Sequence, residues 1–173
     1  MAFTFVVADG TNLTNATSYV SVAEADDYFE VDRAFTATWS ALTTTEKEYL
    51  LGWSTRILDQ KIKWKGTKDT TTQALEWPRD GTYDRNGVAI LDTVIPQQLK
   101  DATCEFAKFA QTNDPTTGSG VDFIRAITLD VLEIEYQEGT SQSSFPTLLN
   151  SILRGLGTYP VPGGFGFNKI VKA

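Results

Sequence analysis

The chain has 173 residues, about one domain's worth, with 41% apolar and 21% charged residues, as in ordinary globular proteins. It contains no histidine and one cysteine, Cys104, and its formal net charge is −7. These values exclude Ser-His-Asp and Cys-His catalysis, His-ligated zinc, an intrachain disulfide and a zinc ribbon, and the acidic balance argues against a protein whose main task is gripping nucleic acid, since such proteins are usually basic.

In chain order, Phe3-Thr-Phe-Val-Val7 is β-branched and aromatic and predicts a short strand. Ser21-Val-Ala-Glu24 is a capping box that starts a helix running to about Arg33. Val22, Ala25, Tyr28 and Phe29 form its apolar stripe, and Asp26, Asp27, Glu30 and Asp32 give it a negative face. A second helix opens at Thr44 or Thr45 with Glu46 and Glu48 at its positive end. Leu50, Trp53, Ser54 and Ile57 form its expected buried stripe, with Leu51 and Leu58 beside them. Lys61 to Lys65 alternate basic and apolar residues, as a short edge strand would.

The stretch from there to about Ile95 has no period, and Trp64 and Trp77 are expected to pin it onto the helices. Pro96 suits the first turn of a third helix, whose stripe is Leu99, Ala102, Phe106, Phe109 and Ala110, with Thr103 its one polar member. Cys104, beside that stripe, reads as a buried small hydrophobe. A Thr/Gly/Ser/Pro linker at 112–120 leads to a β segment near 121–138, and Pro146 starts a short helix carrying Leu148, Leu149, Ile152, Leu153 and Leu156. The expected fold is therefore mainly α. It has three to four helices and a minor β segment or hairpin in a domain over 1–156, followed by an extended Gly/Pro/aromatic arm over 157–173.

No residue set supports an enzyme, a metal or a cofactor. Gly155-x-Gly157 and Gly163-Gly-Phe-Gly166 lack the remaining residues of phosphate loops. Asp80, Asp84 and Asn86 lack the spacing and the bidentate glutamate of a calcium loop. The paired carboxylates Asp26/Asp27, Glu46/Glu48 and Glu133/Glu135 read as solvated faces. No apolar run reaches the roughly 18 residues that span a membrane. The first residues lack the regions of a secretory signal, so Asn12-Leu-Thr14 and Asn15-Ala-Thr17 are expected to carry no glycan.

Two features point to partners. Lys61, Lys63 and Lys65 surround Trp64, with Arg56 and Lys68 nearby. Basic groups around an aromatic can hold single-stranded nucleic acid by charge and stacking; alternatively, Trp64 belongs to the core and the lysines to a solvated edge. The arm carries +2, leaving −9 on the rest of the chain. Its Tyr159, Phe165, Phe167, Ile170 and Val171 are spaced by Gly and Pro, a composition suited to lying on a partner or folding back on its own domain.

Ser18-Tyr-Val-Ser-Val-Ala-Glu-Ala-Asp-Asp-Tyr28, Trp64-Lys-Gly66, Gln73-x-Leu-Glu-Trp-Pro-Arg79 and Val94-Ile-Pro96, in that order, resemble the head–tail connector proteins of tailed bacteriophages. These are also called adaptor or head-completion proteins, and some close relatives are labelled DnaT-like single-stranded-DNA-binding proteins. The likeness covers most of residues 1–110. It implies a small helical bundle assembled as a ring, typically of twelve copies, beneath the portal protein in the virion neck. Such a protein is made in the host bacterial cytoplasm, docks the next neck or tail component, and passes genomic DNA without specific binding. In that setting Asp26, Asp27, Glu30, Glu133 and Glu135 are the candidates for lining the channel, where like charge keeps DNA from sticking. The alternative is a nucleic-acid-binding accessory protein using Lys61, Lys63, Trp64 and Lys65.

Overall fold

The structure, a computed structural model, describes residues 3–113 and 147–159. Its helices there are α1 (Val22–Glu30), α2 (Thr36–Ser40), α3 (Thr44–Lys61), α4 (Gln97–Thr112) and α5 (Thr147–Ile152). The strands are β1 (Lys63–Trp64), β2 (Thr67–Lys68), β3 (Arg79–Asp80), β4 (Thr82–Tyr83), β5 (Ala89–Ile90) and β6 (Gly157–Thr158). They pair antiparallel as β1–β6, β2–β3 and β4–β5.

This corrects the expectation of a mainly α bundle: the described residues form a mixed α/β fold. The cause lies in the stretch between α3 and α4. Its buried backbone groups need partners, and short ladders supply them where the chain reverses. Gly66 has a φ of +65°, and a Cβ there would stand 2.2 Å from the Asp80 carbonyl oxygen, so only glycine permits that turn. The strand expected at 3–7 is reduced to a single parallel bridge, Val7 to Ser18. The β segment expected near 121–138 lies outside the described residues.

The helices follow from local chemistry. Ser21 caps α1 and receives the Glu24 backbone N–H, while the Glu24 carboxylate accepts from the Ser21 N–H. Thr43 and Glu46 repeat the box at α3. Pro96 is the N-cap of α4. Helix α4 packs on α3 and α5, and α1 packs on α2, α3 and α4. Leu51, Leu58, Leu99, Phe106 and Leu149 are fully buried where these faces meet. Thr103 joins the stripe without cost because its hydroxyl donates to the Leu99 carbonyl at 2.9 Å. Cys104 is buried beside it, and burial pushes its thiol well above the usual range. Phe29, Phe35 and Trp39 close the other end, with ring centroids 4.6–6.3 Å apart.

Candidate nucleic-acid interface

The alternation at the end of α3 turns a charge run into a ridge. Ile62 and Trp64 point inward, at 5% and 9% exposure, so Lys61, Lys63 and Lys65 all face solvent. None of these lysines has an ion-pair partner among the described residues, and neither does Arg56. Trp64 meets Trp77 edge to face at 6.0 Å and offers no free ring face for stacking. Lys68 stands apart from the ridge, paired with Glu76.

Three devices hold the ridge. β6 pairs with β1, Lys63 opposite Thr158 and Trp64 opposite Gly157. Gly157 permits this close approach, because a Cβ there would meet Ile62 Cγ2 at 2.6 Å. The first residues of the expected arm are thus a strand of the folded domain, and Tyr159 packs half-buried on the core. Phe165, Phe167, Ile170 and Val171 lie outside the described residues. The third device is Arg79, which is buried. Its Nε donates to the Lys65 carbonyl at 2.7 Å and its Nη2 to the Gly66 carbonyl at 2.8 Å. Its Nη1 pairs with Glu76 Oε2 at 2.7 Å.

Behind the ridge, Tyr19 and Asp59 pin the Trp-Pro-Arg segment to α3. The Tyr19 hydroxyl donates to Asp59 Oδ1 at 2.6 Å and accepts from the Trp77 N–H at 3.2 Å. The Glu76 N–H donates to Asp59 Oδ2 at 3.1 Å. Burial pushes the Asp59 carboxyl up to about 7, against the opposing effect of these two hydrogen bonds. The Trp77–Pro78 bond is cis. Tyr19, Trp77 and Arg79, which belong to the segments that carry the connector resemblance, thus hold the fold.

Beside the ridge runs a groove of about 670 Å³ between α3, the N-terminal segment and residues 74–76. Tyr49, Trp53 and Arg56 line it from one face of α3, and Phe3 from the N-terminal segment. Trp53, expected in the buried stripe, is only half-buried here. Helix α3 is enclosed on most of its circumference, with Gly52, Ser54 and Thr55 also buried, which blurs the stripe. The i, i+4, i+7 spacing of Tyr49, Trp53 and Arg56 is the sequence signal for this second face.

The acidic candidates divide. Asp26 accepts from Trp39 Nε1 at 2.7 Å and from Lys47 Nζ at 2.8 Å. Burial raises its pKa, but these two donors outweigh that effect and hold it below the usual range. Asp27 and Glu30 are exposed without an ion pair among the described residues, whereas Glu24 and Asp32 reach Lys100 and Lys108 on α4. Glu133 and Glu135 lie outside the described residues. Asp84 is a turn residue whose Oδ1 accepts from the Asn86 and Val88 N–H groups at 2.8 Å. Among the described residues no group of three or more acidic or cysteine side chains is placed to hold a metal, and no helix is long and apolar enough to cross a membrane.

No curated protein and no solved structure matches the chain significantly. A family profile matches residues 3–172, nearly the whole sequence. The chain belongs to the family described as "Putative DnaT-like ssDNA binding protein".

Proposed function

We propose that the chain binds single-stranded nucleic acid along the Lys61–Lys63–Lys65 ridge, with Arg56 as a fourth contact. The observation that carries this reading is the set of four cations with no acidic partner among the described residues, on a protein whose net charge is −7. The family description adds support. Lys63 and Lys65 stand two residues apart, at most roughly 6.6 Å, and their side chains sample a phosphate backbone without reading sequence. Binding is local and electrostatic. Four phosphates neutralised on a single strand give a slope of log K against log salt of about −2.8, so affinity falls about fifty-fold between 50 and 200 mM salt. A gel shift with an oligo-dT at those two concentrations tests the reading; no shift at the lower one overturns it.

A second reading is favoured by an exposed apolar hairpin. Tyr83 on β4, Val88 in its turn and Leu91 after β5 are 55%, 62% and 66% exposed, all on one short hairpin, and exposed apolar patches mark protein contacts. In this reading the protein is a head–tail connector of the virion neck. The hairpin meets a neighbouring copy or the portal protein, while Asp27 and Glu30 face the DNA channel. Electron microscopy of the protein mixed with portal separates the readings: rings on portal together with no gel shift favour the connector, and a gel shift without rings favours the nucleic-acid reading.

A further inference from the structure

We propose that the groove beside the ridge is a stacking subsite for one unpaired base, with Trp53 supplying the ring face and Arg56 the contact to the adjoining phosphate. The inference rests on the single-strand reading and names the place where that strand would be gripped other than by charge.

The ridge alone offers only cations, because Trp64 is turned inward against Trp77. The groove supplies what the ridge lacks. Phe3 and Tyr49 are 44% and 54% exposed, their ring centroids are 5.2 Å apart, and Trp53 is half-buried one helical turn beyond Tyr49. The other three tryptophans, Trp39, Trp64 and Trp77, are buried. Between Tyr49 and Trp53 the helix carries Gly52, where a Cβ would stand 2.8 Å from the Phe3 ring. The Phe3 ring thus sits over Gly52, and Phe3, Tyr49 and Trp53 line the groove together.

Charge selects the occupant. Arg56 follows Trp53 by three residues on the same helix face, and that face runs on through Gln60 to the lysine ridge. An occupant with a flat apolar ring and a negative charge one bond-length series away satisfies both parts, and a nucleotide has that make-up. The carboxylates at the groove's inner wall are already engaged. Glu76 is paired with Arg79 and Lys68. Asp59 accepts from Tyr19 and from the Glu76 N–H.

The test uses the full chain with two oligonucleotides of equal length and charge, oligo-dT and an abasic strand, read by tryptophan emission. The expected result is quenching by oligo-dT, with affinity about 5- to 150-fold above that for the abasic strand. Trp53→Phe, which keeps most of the packing, should abolish the quenching. Tyr49→Ala, at an exposed site, should narrow the preference for oligo-dT while leaving circular dichroism unchanged. Equal affinity for both strands, with salt dependence intact, overturns the stacking subsite and leaves the ridge standing. Quenching that survives Trp53→Phe also overturns it. Binding to neither strand overturns the inference together with the single-strand reading, and a groove that instead takes an apolar side chain of a protein partner would give that result.

Discussion

Replacing Arg79 with alanine removes the clamp that fixes the basic ridge to the rest of the fold. The guanidinium donates to the carbonyls of Lys65, Gly66 and Glu76 at 2.7, 2.8 and 3.1 Å and pairs with the Glu76 carboxylate at 2.7 Å. Hydrogen bonds to a charged group contribute roughly 1.5–3 kcal/mol each, and removing one partner of a buried ion pair costs about 3–5 kcal/mol. The contributions overlap, and the Glu76 side chain is 34% exposed, so water partly replaces the lost partner. The expected loss is at the low end, about 3 kcal/mol. At a urea m-value near 2 kcal/mol/M, the unfolding midpoint drops by about 1.5 M. Arg79→Lys keeps the charge but not the fork that reaches several acceptors at once, and should fall between wild type and alanine. Oligonucleotide affinity should weaken in both variants, because Arg79 holds Lys65 in place. An alanine variant within about 0.5 kcal/mol of wild type would refute the clamp.

Three further outcomes are expected. Asp59 has its carboxyl raised from 3.8 to about 7 by burial, so the folded state binds the extra proton between those values and stability falls as pH rises through that window. The fall amounts to a few kcal/mol, at roughly 1.4 kcal/mol for each pH unit. Asp59→Asn should flatten the pH profile of the urea midpoint, and a variant that keeps the wild-type profile would remove Asp59 as its cause. Gly66→Ala forces a methyl group against the Asp80 carbonyl at a positive φ and should cost more than about 2 kcal/mol, measured by thermal unfolding; a loss of a few tenths would show that the turn relaxes freely. Ser21→Ala breaks the α1 capping box and should cost about 1 kcal/mol, so an unchanged melting temperature would count against the cap.

The helices α1, α3 and α4 were legible in the sequence because their caps and their three- and four-residue steps are local. The capping box at Ser21, the acid at Glu46 and the proline at 96 each mark a helix start through a neighbour within four residues. Of the strands, β1 was legible, because the Lys61 to Lys65 alternation predicts an edge strand there; the others were not, and neither was the pairing of β1. Those others are each two residues long, too short for alternation to register, and the partners of β1 lie more than ninety residues away. Helix α2 has no side-chain cap to announce it. The ridge was legible from the alternation of Lys61 to Lys65, and that same alternation, read for burial, turns Trp64 inward. The groove was not, because it joins Phe3, α3 and residues 74–76, which only the folded chain brings together. Trp53 was assigned to the core because its spacing from Leu50 and Ile57 fits one stripe, but α3 carries a second face through Tyr49 and Arg56.

The most direct test of the central claim is the salt dependence of oligo-dT binding, by fluorescence anisotropy, for wild type and for the triple variant Lys61→Ala, Lys63→Ala and Lys65→Ala. All three side chains are exposed, so the variant should fold normally. The ridge predicts that the slope of log K against log salt falls from about −2.8 to about −0.7, since each lost phosphate contact removes about 0.7. Equal slopes for the two proteins, or no binding by wild type at 50 mM salt, would contradict it.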